Sequence, residues 1–223
     1  MKAAPEKAVE MANEWRLKGG GLPARQCLGL AYSKLERWAP AATAFEQAAL
    51  EAETARDARR ADFWVQAGNS WLAAGDAVKA RKAFDAALAV PTLTAELRGE
   101  AHLDRARAAV AAGDLVAARV DIDQGLKLVP ADPFAWYLSS ALALREEKMP
   151  RAKEDIAKAV SLAPDDADVL LQAGNVAGVG GEVAAARGFY EKAARLSPGS
   201  AAGKAAQAAL AANAAAEAPA AKK

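Results

Sequence analysis

Small and large apolar residues alternate along this chain in a pattern that recurs five times. The sets are Ala41/Phe45/Ala48, Ala80/Phe84/Ala87, Ala118/Ile122/Gly125, Ala152/Ile156/Ala159 and Ala186/Tyr190/Ala193. Spacings of four and three put the three members of each set on one face of a helix. Small residues let two helices approach closely, and the single large residue fills the space between them. Twelve residues before each leading alanine stands another small residue: Gly29, Gly68, Ala106, Ser140 and Gly174. Each unit therefore reads as two helices, a first carrying the lone small residue and a second carrying the set. The pattern predicts an all-α chain of antiparallel helix pairs with essentially no strand.

The leading alanines are 39, 38, 34 and 34 residues apart. The last two steps suit a bare helical hairpin, and the first two carry extra length. One excess falls in the charged stretch Glu51 to Arg60, which predicts a lengthened helix end; the other falls around Thr92-Leu93-Thr94, which predicts a loop. Glycines mark three turns, at Gly75-Asp76, Gly113-Asp114 and Gly180-Gly181-Glu182. Glu36-Arg37 and Glu147-Lys148 must serve in the other two. Prolines 91, 130, 164 and 198 close four hairpins, because proline cannot continue the helical hydrogen-bond ladder. The organisation expected is a helix and glycine linker over 1–21, with Ala8, Met11 and Trp15 at helical spacing. Five hairpins follow over 22–198, then a capping helix over 199–214 that is almost all alanine, then a disordered tail over 215–223.

Hydrophobic residues make up 53% of the chain but aromatics only 6%. Alanine supplies much of the difference, which suits closely apposed helices rather than a thick core. A net charge of +1 provides no field that would draw nucleic acid or an anionic membrane. No apolar run is long enough to span a bilayer, so membrane insertion is not expected.

The array resembles the tetratricopeptide repeat family, whose units are 34-residue helical hairpins. The second copy carries Trp64, Gly68, Trp71, Ala80, Phe84 and Ala87 on the signature positions. The fourth matches at Trp136, Ala152, Ile156, Ala159 and Pro164, and the fifth at Gly174, Ala186, Tyr190, Ala193 and Pro198. The first fits at Leu28, Gly29, Tyr32, Ala41, Phe45 and Ala48. The third is weakest, with His102 at the tryptophan position and Ala109 at the tyrosine position. The resemblance covers about 22 to 198 and implies a right-handed α-solenoid of about five repeats plus terminal helices. It implies a groove lined by the first helices, at Gln26, Leu30, Ser33 and Lys34, then Val65, Asn69 and Leu72, then Leu103, Arg107 and Val110. Further along come Phe134, Tyr137, Ala141, Leu144 and Arg145, and lastly Leu171, Asn175 and Gly178. Lys34, Asn69, Leu72, Leu103, Arg107, Phe134, Tyr137, Arg145 and Asn175 are the partner-binding candidates. Asn69 and Asn175 each follow the small residue in a Gln-Ala-Gly-Asn string, and an amide can both donate to and accept from a peptide backbone. Where family members grip a C-terminal carboxylate with bases, this chain has Glu100 and Asp104, which argues against that ligand.

No enzyme signature stands out. The single histidine, His102, cannot form a histidine pair or a His₂-carboxylate metal site, and packing against a second helix explains it better than catalysis. Cys27, the only cysteine, is expected to be a small buried thiol. The tryptophans are assigned to packing rather than to stacking on bases or sugars. No cofactor, metal or nucleic acid is expected. The leading reading is a non-enzymatic scaffold that holds a peptide or helix of a partner protein in its groove, as a monomer. A second reading is an assembly protein that self-associates through its alanine-rich terminal helix; an enzyme is a weak third. The residues from Met1 to Lys7 hold no apolar signal and suit a cytoplasmic protein. The stretch around Cys27 is similar to exported bacterial repeat proteins with a second cysteine upstream, so a trimmed mature form would be periplasmic.

Overall fold

A computed structural model describes residues 5–217, with side chains through 213. The described residues form twelve helices and no strand. They divide into two compact units, one through Leu128 and one from Val129. The first unit holds α1 (Pro5–Leu17) and three hairpins: α2 (Gly21–Lys34) with α3 (Trp38–Ala55), α4 (Arg60–Ala73) with α5 (Ala77–Leu88), and α6 (Ala95–Ala111) with α7 (Leu115–Leu128). The second holds α8 (Pro133–Arg145) with α9 (Met149–Leu162), α10 (Ala167–Val179) with α11 (Val183–Leu196), and then α12 (Ala201–Glu217). Each unit is a solenoid segment in which every helix packs on its neighbours in sequence.

In three hairpins the glycine of the first helix is the seat for the large residue of the second. A Cβ built on Gly68 would lie 2.6 Å from the Phe84 ring; on Gly29 it would lie 2.6 Å from Phe45, and on Gly174, 2.4 Å from Tyr190. The rings therefore rest directly on backbone, and Phe45, Phe84 and Tyr190 are buried. The fourth hairpin uses Ser140, whose buried hydroxyl donates to the Ala152 carbonyl at 2.9 Å. The third inverts the arrangement: Leu103 of the first helix sits on Gly125 of the second, where a Cβ would meet it at 2.5 Å.

All five hairpin turns share one backbone conformation. Gly75, Gly113 and Gly181 have positive φ near 80°, and Glu36 and Glu147 take the same left-handed role at 55° and 59°. Two of the following helices are capped by aspartates, Asp76 accepting from the Lys79 amide and Asp114 from the Ala117 amide. The first excess length is a helix extension, since α3 runs 18 residues and stops at left-handed Arg56. The second is not simply a loop. Helix α6 begins at Ala95 with Thr94 as its cap and runs 17 residues against 14 for α4. The extra turn carries Arg98, which donates to the Leu88 and Val90 carbonyls at the end of α5.

Other boundaries also shift. Gly21 opens α2 rather than closing a linker, and α12 continues to Glu217, into the stretch expected to be a disordered tail. Residues 218–223 of that tail lie outside the described residues. Helix α12 packs on α11 and α10, with Ala206 buried in their cluster beside Ala209 and Leu210. Cys27 is exposed, not buried, because the inward face of α2 is the one carrying Ala24, Leu28 and Ala31. Trp71 is buried, whereas Trp15 is 45% exposed.

Two substitutions check this framework. Gly68→Ala drives a methyl into the Phe84 ring and is expected to destabilise by about 1–3 kcal/mol, the usual range for overpacking. Glu147→Gly relieves a left-handed non-glycine residue and should stabilise by about 0.5–1 kcal/mol. Chemical denaturation of both variants against the parent chain measures each sign.

Candidate functional site

In the first unit, Lys34 ends α2 and is exposed. Leu72 is half-buried with Val65 against the cluster around Trp71, Phe84 and Ala108. Leu103 is not a groove residue: it is 1% exposed, drawn inward by the space that Gly125 leaves. Asn69 and Arg107 do come together, with a third residue the sequence reading placed elsewhere. Asn69 Nδ2 donates to Asp104 Oδ2 at 2.8 Å, and Arg107 Nη1 donates to Asp104 Oδ1 at 2.9 Å and to Asn69 Oδ1 at 3.3 Å. This closed triangle joins α4 to α6. Both ends of the Asn69 amide are engaged and the Arg107 charge is largely met, so neither is the open contact expected.

Beside that triangle lies a recess of about 300 Å³ lined by Leu30, Ser33, Trp38, Phe45, Gln66, Asn69 and Ser70. Leu30 is 50% exposed at its edge. Gln66 Oε1 is buried there without a hydrogen-bond partner, an acceptor whose desolvation is uncompensated.

In the second unit, Phe134 and Tyr137 stack with centroids 5.9 Å apart and planes 15° from parallel. Phe134 is exposed, while Tyr137 is half-buried against the cluster of Ala143, Ile156 and Val169. Arg145 ends α8 and is exposed. Asn175 is tied internally, since its Oδ1 accepts from the Tyr190 hydroxyl at 3.0 Å. Burial raises the Tyr190 phenol above its usual range and keeps it a donor. The candidate positions thus fall in two sets, one on each unit.

The sequence reading missed two buried acids. Asp121 and Asp155 each stand one residue before the large member of their sets, where the first two sets have Ala44 and Ala83 and the fifth has Phe189. Arg105 grips Asp121 with two nitrogens, at 2.9 and 2.6 Å, and reaches Asp85 on α5 at 2.7 Å. His102 Nδ1 lies 2.9 Å from Asp121 Oδ1, so the histidine at the tryptophan register packs on its second helix through a carboxylate. Burial pushes the Asp121 carboxyl up, but the hydrogen bonds from His102 and Arg105 outweigh it and leave the carboxyl below its ordinary value. In the fourth hairpin Asp155 accepts from the Ser139 hydroxyl at 2.5 Å and from Arg151 Nε at 3.3 Å. The signal available was the acid itself, at a register otherwise apolar.

Among the described residues there is no group of three or more side chains able to hold a metal, and no helix long and apolar enough to cross a membrane.

No family model and no curated protein matches the sequence. Solved structures do match. A Pseudomonas aeruginosa pilF structure is 16% identical with a TM-score of 0.65, covering 92% of this chain and 97% of its own. YrrB, described as a TPR protein with an unusual peptide-binding site, is 18% identical with a TM-score of 0.57, covering 93% and 97%. A tetratricopeptide repeat protein from Parabacteroides merdae is 16% identical with a TM-score of 0.69, covering 93% and 77%. The chain has the tetratricopeptide-repeat fold. The likeness lies in the stacked hairpins, and at these identities it extends to the fold alone.

The Asp121 network yields a pH-dependent prediction. A carboxyl held below its unfolded value contributes stability that is present above about 3.8 and lost as pH falls through the folded value. Asp121→Asn is expected to cost about 2–4 kcal/mol near neutrality, since it strips Arg105 of its buried partner. Denaturation curves of parent and variant at a series of pH values should converge below that window.

Proposed function

We propose that this chain is a non-enzymatic protein-interaction scaffold whose first-helix faces take up an extended peptide or helix of a partner protein. The observation that carries the reading is the recess between α2, α3 and α4, where Leu30, Trp38 and Phe45 share the lining with Gln66, whose Oε1 is buried without a hydrogen-bond partner. A partner side chain that fills the recess and donates to Gln66 gains burial and satisfies that oxygen at once. The exposed Phe134 ring on the second unit supplies a separate aromatic contact of the kind enriched in interfaces. Lys34 and Arg145, both exposed, favour a neutral or acidic segment over a basic one.

Peptide display against the immobilised full chain tests this directly. Peptides enriched on the parent chain should lose at least about tenfold in affinity to Leu30→Glu, which places a charge at the mouth of the recess. Equal binding to parent and Leu30→Glu by every enriched peptide would remove the recess from the reading.

A further inference from the structure

Helix α1 is a second-type helix without its first. It packs on α2 as α3 packs on α4 and α9 on α10. Met11 stands 18 residues before Gly29, the interval that separates Ile122 from Ser140 and Ile156 from Gly174. Met11 therefore occupies the register of Phe45, Phe84, Ile122, Ile156 and Tyr190. Those five are at most 6% exposed, whereas Met11 is 57% exposed and Trp15, one turn on, is 45% exposed. The five are covered by the first helix of their own pair, and among the described residues no helix covers Met11.

Helix α12 has the converse defect. It packs on α11 and α10, as α10 packs on α9 and α8, and is thus a first-type helix. Ala208 stands 18 residues after Tyr190, at the register of the small seat, and it is exposed together with Ala201, Ala205 and Ala212 on the same side.

We propose that the open face of α1 is covered by α12 of a second copy of this chain, antiparallel, with Met11 seated on Ala208 to complete a hairpin between molecules. Charge complementarity points to this occupant. Lys204 stands four residues before Ala208, the register of Arg25 and His102 in the first and third hairpins. There each meets an acid of its second helix, His102 with Asp121 at 2.9 Å and Arg25, through a different register of that helix, with Glu51 at 2.7 Å. On α1 the acid at the Asp121 register is Glu10, and Glu14 lies one turn further, engaged only in an exposed pair with Lys18 at 3.7 Å. Lys7 and Glu14 stand where the hairpins carry small residues; both are exposed and can turn their charged ends to water. The joint is consequently weaker than a hairpin within one chain. Because the two faces differ, a pair of copies keeps one of each kind unfilled, and association propagates head to tail. This replaces the monomer expected from the sequence and stands apart from the inner-face reading, which uses other residues.

Sedimentation velocity of the full chain over a range of concentrations tests the joint. The parent chain should form dimers and higher oligomers as concentration rises. Met11→Glu and Ala208→Glu should each lower association at least about tenfold, because either one buries an unpaired charge. Both positions are solvent-exposed in the single chain, so at concentrations where the parent is monomeric the melting curves of the two variants should match it. An equimolar mixture of the two variants restores pairing through the one intact face of each and stops at dimers. Lys204→Glu should weaken association, and more so at low salt. A parent chain that stays monomeric throughout, variants that associate like the parent, or a mixture that stays monomeric would each overturn the proposal.

Discussion

Four of the five hairpins depend on one contact, an aromatic or branched side chain resting where a Cβ is missing. Gly29 under Phe45, Gly68 under Phe84 and Gly174 under Tyr190 each let a ring press on backbone at distances no alanine would permit. That contact sets how closely the paired helices approach, which in turn fixes where every other side chain on them lands. It also explains why a chain with so few aromatics has a defined core. Alanine flanks each ring at the positions that need closeness, and the ring supplies the volume. The third hairpin shows that the contact matters more than the residues that make it. With no ring and Ala106 at its seat, it moves the glycine to the second helix and drops Leu103 onto it from the first.

That inversion marks the limit of what could be read from the chain. The spacing of small and large residues carried the helix pairing, the turns and the all-α class, because those follow from periodicity alone. Leu103 was assigned to the groove by analogy of register, but burial depends on which partner residue leaves a vacancy, and Gly125 lies 22 residues away in sequence. Cys27 failed for a similar reason. It lies beside Leu28 and Gly29 in sequence, yet one residue along a helix is a third of a turn around it. The turn residues Glu36 and Glu147 were weak signals because neither prefers the left-handed region, and the helices on both sides impose it.

Polar registers were the least legible. Asp121 with Arg105, and Asp155 with Ser139, occupy positions that are apolar pairs in the other hairpins, Leu28 with Ala44 and Ala67 with Ala83. A buried carboxylate at such a position is tolerated only because its partner arrives from the residue before the small seat, and that pairing is a three-dimensional fact. The substitution brings directionality that an alanine pair lacks, since a bidentate guanidinium accepts only one register of its helix against the next. Adjacent repeats that differ in this way are less able to exchange partners within the array.

Internal hydrogen bonds also occupy the polar residues of the candidate site. Asparagines at the groove register suggested a grip on partner backbone, but Asn69 is closed into a triangle with Asp104 and Arg107, and Asn175 accepts from Tyr190. An amide already bonded within the fold must give up that bond to take a ligand, so its net contribution to binding is small. What remains is of another kind: the exposed Leu30 edge, a buried Gln66 oxygen without a partner, the exposed Phe134 ring and two exposed cations. Recognition built from such groups selects by the shape and apolarity of a few side chains, with charge acting at longer range. A surface of that composition favours partners through one or two anchor residues rather than through a continuous backbone ladder.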